Sequence, residues 1–544
     1  MVKLALAALL AFAIPLQPLF ARGQDISQEV DQVFAAYSQE RTPGCSLGVI
    51  RNGSFAYRKS YGAASLELGV PLSSQSVFYV GSVSKQFTAA SVILAAEQGL
   101  LSLDDNVKIY IPELPDYGHT ITLRQMLHQT SGFRDFFDLL YFSGRDVSES
   151  NSPSEILKLI ERQRGLNNVP GTEWVYSNTN YFLLGIVVQR ATKKTLAAYA
   201  AEKIFRPLGM MHTRFYDDAS VVLPGRVAAY DPGQNGQFVV DWSTTYSVVG
   251  GGGLMTTVDD LLRWDDNFYS NQLGKGTLVK ELETPGTLND GKETVYGMGL
   301  ISGNYRGLPI MEHNGSLFGY RADILRFPDQ KFTVVCLCNV SDADPEGKSR
   351  KVADVYLRDQ MQSNSVPMLA SDKNLADPTP FTGQYLDSRS RTIYSFTVSD
   401  GHLRGWGSDL RRKNANQFYD LFGDVITFDG SKDSMKVSLD MNGETYFAGK
   451  RLSEVHLGDS VLGDFTGDYK SPELDSAIQL SVEHGGLIFR NGSNPPVTLT
   501  PIASNEFKAG ASFSIVFHRD EHGRVSALNV FAPSARGIEF ARTN

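Results

Sequence analysis

The stretch "FYVGSVSKQFTAASVILAAEQG", residues 78–99, places a serine and a lysine three positions apart at the start of a helix-like run. On a helix, residues at this spacing share one face and lie within about 5–6 Å, so Ser82 and Lys85 can interact. Gly81 allows a tight turn just before the serine. A serine hydroxyl needs a base to act as a nucleophile, and lysine is a base only when uncharged. Taken alone, the pattern is more typical of a capped helix with a solvated lysine, so it does not by itself indicate catalysis.

Two further clusters contain residue types suited to the same chemistry. "EWVYSNTNYF" places Tyr176 and Asn178 before a long helix, where a phenol can relay a proton and an amide can hold a carbonyl group. "MEHNGSLFGY" places His313, Gly315 and Ser316 on or beside a strand, and the glycine lets a substrate approach the strand closely. Each cluster also has an ordinary structural interpretation as a buried tyrosine, a turn asparagine or a structural histidine.

Residues 24–362 alternate strand-like and helix-like segments, which predicts an α+β domain. Asn52-Gly53 separates two apolar runs and predicts a tight hairpin. The helix that follows Lys85 is predicted to end at Gly99, and Pro328-Asp329 predicts a turn between two strands.

The character of the sequence changes after residue 362. Residues 363–377 are polar and proline-rich, which predicts a linker. Beyond them, short alternating strands and Gly/Asp/Asn turns predict two small antiparallel all-β barrel domains, over 378–455 and 456–544.

An internal repeat supports this division of the tail. "FTGQY" at 381–385 recurs as "FTGDY" at 465–469, and "VSDGHL" at 398–403 matches "VEHGGL" at 482–487. The two matches have the same spacing along the chain, which favours a duplicated domain over coincidence.

The N-terminal residues 1–23 combine Lys3, an apolar run and a small-residue exit, which predicts a secretory signal peptide. We therefore expect a periplasmic or secreted protein. No later apolar run approaches the about 18 residues that a spanning helix needs, so we expect no integral membrane segment after signal removal.

The sequence contains three cysteines, Cys45, Cys336 and Cys338. Cys336 and Cys338 share one face of a predicted strand and are poorly placed to bridge each other. We expect all three to be buried thiols that pack as small hydrophobic side chains.

Charge and motif content exclude several classes of function. The net charge is −9 and no dense Lys/Arg block occurs, so we expect no nucleic-acid partner. No "HExxH" or "CxxC" pattern occurs either, and we expect neither a metal nor another cofactor.

The order "SVSK", "YSN", "HNG" resembles the penicillin-recognising serine hydrolases, which include serine β-lactamases, D-Ala-D-Ala carboxypeptidases and D-aminopeptidases. The resemblance covers residues 25–360 and includes the blocks "ITLRQMLHQTSGF" and "GGGGLMTTVDDLLRW". It implies a β-lactamase-like α+β domain, with helices on both faces of an antiparallel sheet and a helical subdomain. The two tail barrels resemble the plan of a D-aminopeptidase of this group.

The resemblance also implies roles for individual residues. Ser82 would form the acyl-enzyme, Lys85 would activate it, and Tyr176 would relay a proton, with the identity of the base left open between the last two. His313 would take the third-motif position, and the turn Gly250–Gly253 would either line the cleft or be a plain loop. The backbone N–H groups of Ser82 and Ser316 would form the oxyanion hole. Substrate-binding roles are implied for Asn178, Gly315 and Ser316.

The third motif departs from the Lys-Thr-Gly that most β-lactamases carry. A histidine at position 313 is mostly neutral at pH 7, which weakens the case for β-lactams and C-terminal carboxylates as substrates. His-x-Gly resembles D-aminopeptidases and several esterases instead. We therefore expect an exported serine hydrolase that cleaves amide bonds of small, D-residue-containing peptides.

Three other interpretations remain open at this point. The same machinery suits an esterase, and it also suits a weak β-lactamase or DD-carboxypeptidase. A protein of another class, a penicillin-binding sensor that is acylated without turnover, would carry the same residues. The partner is expected to be a small molecule or short peptide, and the sequence leaves a homodimer open.

Overall fold

The computed structural model describes residues 19–38, 41–145, 152–241, 247–362, 377–405, 408–420, 423–431, 434–441, 444–453, 455–510 and 512–543. The predicted signal peptide, 1–23, and the predicted linker, 363–377, lie mostly outside these residues, so both remain predictions.

The described strands of the first part of the chain are β1 (Cys45–Arg51), β2 (Ser54–Tyr61), β3 (Ala63–Ser65), β4 (Val70–Pro71), β5 (Phe78–Tyr79), β6 (Arg214–Phe215), β7 (Tyr230–Pro232), β8 (Phe238–Val240), β9 (Leu254–Thr256), β10 (Ile301–Tyr305), β11 (Leu308–Leu317), β12 (Tyr320–Phe327) and β13 (Phe332–Cys338). Six of them form the central antiparallel sheet, in the order β10-β11-β12-β13-β1-β2. Asn52 and Gly53 join β1 to β2 with φ values of 52° and 75°, which confirms the predicted hairpin turn.

The described helices of this part of the chain are α1 (Leu19–Val33), α2 (Ser84–Glu97), α3 (Leu123–Leu127), α4 (Phe136–Phe142), α5 (Pro153–Glu161), α6 (Asn178–Thr192), α7 (Leu196–Ala200), α8 (Arg206–Leu208), α9 (Val258–Ser270), α10 (Leu278–Glu283) and α11 (Pro345–Leu357). Helices pack on both faces of the central sheet, with α9 on one face and α11, joined by α1, on the other. Successive side chains of β13 point to opposite faces of the sheet. Val335 and Leu337 join the core beneath α2 and α9, whereas Val334 and Cys336 join the core beneath α1 and α11. The predicted α+β arrangement is therefore confirmed. In the described part of the chain, none of the helices has the length and apolar character that crossing a bilayer requires.

The expectation that all three cysteines are thiols is wrong for two of them. Cys45 on β1 lies opposite Cys338 on β13, and the two form a disulfide. Cys336 is a buried free thiol that shares its strand face with Cys338 without bridging to it, as expected. The pairing depends on strands that are neighbours in the sheet but 293 residues apart in sequence.

Two antiparallel barrels follow, as predicted. The first contains β14 (Gly383–Asp387), β15 (Ile393–Ser399), β16 (His402–Gly405), β17 (Ser408–Asp409), β18 (Arg411–Arg412), β19 (Gln417–Tyr419), β20 (Val425–Asp429), β21 (Lys436–Met441) and β22 (Glu444–Arg451). The second is closed and contains β23 (Gly467–Ser471), β24 (Ser476–Glu483), β25 (Gly486–Asn491), β26 (Val497–Ala503), β27 (Glu506–Ala509), β28 (Phe513–Arg519), β29 (Val525–Ala532) and β30 (Ala535–Thr543). A short helix, α12 (Asp459–Gly463), precedes it.

The sequence repeat corresponds to equivalent positions in the two barrels. Gly383 and Gly467 open β14 and β23 with φ values of 135° and 134°, a backbone conformation that favours glycine. Two residues later, the hydroxyls of Tyr385 and Tyr469 donate to the carbonyls four residues earlier, at 2.9 and 2.8 Å. The shared details fit a duplicated domain.

Candidate active site

Ser82 lies in a single 3₁₀ turn, Gly81–Val83, that leads directly into α2. Gly81 has a φ of 51°, and a Cβ atom there would lie only 2.5 Å from the backbone nitrogen of Ser316. Only glycine therefore fits at position 81, between the turn and β11. The strand–turn–helix arrangement leaves the Ser82 side chain partly exposed at the wall of a cleft.

Lys85 is completely buried one helical turn beyond Ser82. Its Nζ atom lies 3.0 Å from Ser82 Oγ, 2.7 Å from Asn178 Oδ1 and 2.6 Å from the carbonyl oxygen of Gly251. Burial lowers the pKa of Lys85 to about 7, and the nearby carboxylate of Asp135 partly opposes this shift. The lysine can therefore lose its proton at physiological pH.

Tyr176 completes the surroundings of the serine. Its ring centroid lies 4.8 Å from Lys85 Nζ, and its hydroxyl interacts with the Ser82 side chain. Burial raises the pKa of Tyr176 well above its usual value, although the interaction with Ser82 lowers it slightly. The phenol therefore stays protonated where Lys85 is already neutral, which favours Lys85 as the first proton acceptor.

His313 lies on β11 and is almost fully buried. Its Nδ1 atom is 2.7 Å from the carbonyl oxygen of Asn314, which can only accept, so Nδ1 carries the hydrogen. Nε2 then accepts from the hydroxyl of Tyr296 at 3.0 Å. Burial lowers the pKa of His313 to about 3, with a further contribution from Lys85, so the imidazole is neutral. The third motif thus offers no cation, in agreement with the expectation from the sequence, and its ring lies 6.3 Å from that of Tyr176.

Gly315 brings β11 against the serine turn. A Cβ atom at this position would lie 2.0 Å from the carbonyl oxygen of Val80 and 2.9 Å from the backbone nitrogen of Ser82. No side chain fits in this space, and the backbone amides of Ser82 and Ser316 consequently lie on the same wall of the cleft.

A narrow cleft lies beside Ser82. Its described lining consists of Tyr79, Gly81, Ser82, Phe136, Phe137, Asn178, Val248, Gly251, Gly252, Ser316 and Leu317. Two glycines of the turn Gly250–Gly253 belong to this lining, so the turn does line the cleft. None of these described residues has a charged side chain, and an apolar surface from Phe136, Phe137, Val248 and Leu317 faces the serine.

Sequence reasoning missed two residues that contact this constellation. The carboxylate of Asp135 accepts hydrogen bonds from the backbone N–H and from the side-chain amide of Asn178. An aspartate ahead of the apolar helix α4 predicts an N-cap, but nothing in the sequence indicates the second partner. Tyr296, which donates to His313, lies in a stretch that carries no recognisable signal.

Comparison with known proteins places this chain in a family. Residues 30–357 match the Beta-lactamase family, and the chain belongs to that family. It is a serine hydrolase of the β-lactamase type.

Relatives of this chain are distant, and some of them match it over nearly its whole length. A D-aminopeptidase from Brucella canis is 24% identical over 530 residues, which cover 94% of this chain and 98% of the relative. Among solved structures, the octameric penicillin-binding protein homologue from Pyrococcus abyssi has a TM-score of 0.55 at 21% identity, covering 86% of this chain and 98% of that one. The D-amino acid amidase from Ochrobactrum anthropi SV3, complexed with L-phenylalanine amide, has a TM-score of 0.52 at 20% identity, covering 62% of this chain and 99% of that one. At these identities the solved structures establish the fold alone.

Proposed function

We propose that this chain hydrolyses its substrates through an acyl-enzyme on Ser82. The observation that carries the proposal is the hydrogen-bonded group formed by Ser82, Lys85 and Asn178, with Lys85 buried and its pKa lowered to about 7. A neutral Lys85 keeps two N–H groups for Asn178 and Gly251, and its lone pair then faces Ser82 Oγ.

The acylation step follows from this geometry. Ser82 Oγ bonds to the substrate carbonyl carbon as its proton passes to Lys85 Nζ, and the carbonyl electrons move onto oxygen. We expect the backbone N–H groups of Ser82 and Ser316, both lining residues of the cleft, to stabilise the oxyanion. When the oxyanion collapses, the leaving group departs with a proton that the protonated Tyr176 or Lys85 supplies. Water then releases the acyl group and restores the serine.

The substrate we favour is a small amide or peptide with a D-residue on the acyl side. Support comes from the D-aminopeptidases that this chain resembles along 94% of its length. The neutral His313 also supports the proposal, because a site for C-terminal carboxylates would be expected to hold a cation there.

A second candidate, an esterase, is favoured by the lining of the cleft. A free ammonium group on the substrate would lie against described side chains that are all uncharged. Such a group would lack a partner once desolvated, which is costly. An ester or amide with a neutral, apolar acyl group would fit the same surface.

Side-by-side assays separate these candidates. D-alanine p-nitroanilide, p-nitrophenyl esters and nitrocefin are given to the wild type and to Ser82→Ala. Turnover of the anilide supports the aminopeptidase, turnover of the esters alone supports the esterase, and loss of all activity in Ser82→Ala supports the nucleophile. Equal turnover by the alanine variant would remove the proposal. Intact mass spectrometry adds a further test, since a lasting adduct without product would indicate the acylated sensor instead.

We also propose that the protein is exported. The predicted signal peptide at 1–23 is the primary support, and the Cys45–Cys338 disulfide adds to it because such bonds persist in oxidising compartments. The mass of the mature chain isolated from the periplasm or medium should correspond to a start at Gln24. Full-length chain found only in the cytosol would contradict export.

A further inference from the structure

Asp135 connects the catalytic group to the rest of the molecule. Its side chain is 3% exposed, and its Oδ1 atom caps α4 by accepting from the backbone N–H of Phe137 at 2.8 Å. Its Oδ2 atom accepts from both the backbone N–H and the side-chain Nδ2 of Asn178. The two oxygens therefore receive three N–H donors and face no acceptor among these partners, as suits an ionised carboxylate. Burial raises the pKa of Asp135, and these hydrogen bonds together with the charge of Lys85 oppose that shift.

This contact fixes which end of the Asn178 amide faces the lysine. Because Nδ2 points at Asp135, Oδ1 must point the other way, where it accepts from Lys85 Nζ at 2.7 Å. The buried negative charge of Asp135 is thus separated from Lys85 by a single amide group. Asp135 therefore affects both the position of Lys85 and the ease with which Lys85 gives up its proton.

The backbone of Asp135 is held by the second barrel. The hairpin between β29 and β30 contains Ser534, whose carbonyl oxygen accepts from the backbone N–H of Asp135 at 2.7 Å. The backbone of Ser534 also hydrogen-bonds the carboxylate of Asp138, one turn further along α4. The backbone of this one hairpin residue is thus bonded to both Asp135 and Asp138.

Neighbouring contacts keep this hairpin in place. Asn167 donates to the Ser534 carbonyl at 2.9 Å and accepts from the backbone N–H of Arg536 at 2.8 Å. Arg134, which directly precedes Asp135, donates to the carbonyls of Arg536 and Gly537 at 3.1 and 3.2 Å.

We propose that Asp135 is a positioning residue for the Ser82–Lys85 pair, and that the second barrel holds it in place through the hairpin at Ser534. The inference rests on the proposed function, because it takes Lys85 as the base for Ser82. It gives the terminal barrel a part in the active site although no barrel residue is among the described residues that line the cleft.

The pH profile of labelling is assigned to Lys85 after the other ionisable groups around it have been considered. Tyr176 and Tyr181 face the lysine, and burial raises both pKa values above the usual range for tyrosine. His313 is neutral because burial lowers its pKa to about 3. Asp138 faces Asp135, and its pKa is raised by burial and by Asp135 to about 7, so it must be tested separately.

The experiment measures how fast phenylmethylsulfonyl fluoride labels Ser82 as a function of pH, with mass spectrometry of the full-length chain. We expect Asp135→Asn to label about 10- to 100-fold more slowly at its plateau, because a displaced Asn178 no longer holds Lys85 in line. In the wild type, the labelling rate should fall at low pH as Lys85 gains a proton, and this part of the pH profile is the acidic limb. In Asp135→Asn the acidic limb should move to lower pH, because removing the carboxylate lowers the pKa of Lys85. Asn167→Ala, which loosens the hairpin but keeps the charge, should slow labelling without moving the limb.

Two controls make the result specific. Asp344→Asn makes the same change at the N-cap of α11, on the other face of the sheet, and should label like the wild type. Asp138→Asn should leave the limb in place if Lys85 sets it. Thermal unfolding of each variant checks that the chain is folded.

The outcomes are distinct. If Asp135→Asn kept both the labelling rate and the acidic limb of the wild type, the inference would be overturned. A slower labelling rate with an unmoved acidic limb would also overturn it, because that result is expected from the loss of a helix cap alone. An acidic limb that moves in Asp138→Asn would overturn the role of Asp135 in setting it. A wild type that is not labelled at Ser82 would overturn the proposed nucleophile and the inference with it.

Discussion

Lys85 shows how burial and hydrogen bonding together suit one residue for catalysis. Its amine has no exposed surface and three oxygen partners, and the aromatic ring of Tyr176 packs against it. Burial disfavours the cation, whereas the oxygens and Asp135 favour it. The balance places the pKa at about 7, so both protonation states are available near neutral pH.

The first prediction concerns the base itself. Lys85→Arg keeps a cation at position 85 but cannot supply a neutral amine, because arginine stays protonated in proteins. We expect kcat/KM to fall by about 100- to 10,000-fold at every pH, which is the usual contribution of a positioned general base. In the wild type, kcat/KM should rise with pH through about 7, as Lys85 loses its proton, and then level off.

Lys59→Arg is the matched control for this substitution. Lys59 forms an exposed ion pair with Asp31 at 2.7 Å, away from the cleft, so the same change there should leave the kinetics unaltered. If Lys85→Arg kept wild-type activity, Lys85 would serve only as a cation, and the proposed acylation step would need another base.

The disulfide between β1 and β13 is a property of the sheet. These strands are neighbours near the middle of the order β10-β11-β12-β13-β1-β2, and the bond closes a separation of 293 residues. A covalent link over so long a loop removes many conformations from the unfolded chain. It also ties β1, the first strand of the sheet along the chain, to β13, the last one, on the face covered by α1 and α11.

The second prediction is that this bond contributes measurably to stability. Cys45→Ala/Cys338→Ala should lower the free energy of unfolding by about 2–4 kcal/mol relative to the oxidised wild type. Equilibrium unfolding in guanidinium chloride, with and without a reductant, provides the measurement. Cys336→Ala is the control, since it removes a buried sulfur and keeps the bond, so it should remain sensitive to reductant. A wild type whose stability is the same with and without reductant would contradict the prediction.

The elements that sequence predicts well are those specified by nearby residues. The turn at Asn52-Gly53, the helix after Ser82 and the duplicated strand starts at Gly383 and Gly467 each depend on local backbone preferences. The motifs in the candidate site are predictable because the residue types required for the chemistry occur at short spacings. The Cys45–Cys338 bond, and the contacts of Asp135 and Tyr296, depend on distant segments meeting, which no local pattern specifies.

The three domains are joined by contacts of different kinds. The first barrel meets the catalytic domain where the rings of Trp174 and Tyr446 lie 5.2 Å apart. The two barrels are linked by an ion pair between Arg391 and Glu506 at 2.8 Å. The second barrel meets the catalytic domain beside Asp135, and the contacts there are the most buried of the three.

This last interface contains a buried ion pair. Arg134 Nη1 lies 2.7 Å from Glu473 Oε2, and the two side chains are only 5% and 7% exposed. Glu473 also accepts from the backbone N–H of Arg164 at 2.8 Å. A second ion pair, between Arg162 and Asp475 at 3.2 Å, joins the same two domains but is largely exposed. The contributions of a buried and an exposed ion pair to stability can therefore be compared within one interface.

The third prediction uses this comparison. Glu473→Gln leaves the Arg134 cation buried without its counter-charge, and we expect a loss of about 3–5 kcal/mol in the free energy of unfolding. Asp475→Asn breaks the exposed pair and should cost at most about 1 kcal/mol, because solvent and salt screen it. Chemical denaturation of the full chain measures both. Replacing both partners, in Arg134→Met/Glu473→Leu, should recover part of the loss because no unpaired charge remains. Equal losses in Glu473→Gln and Asp475→Asn would mean that burial does not distinguish the two pairs, and that the second barrel is held by its backbone contacts instead.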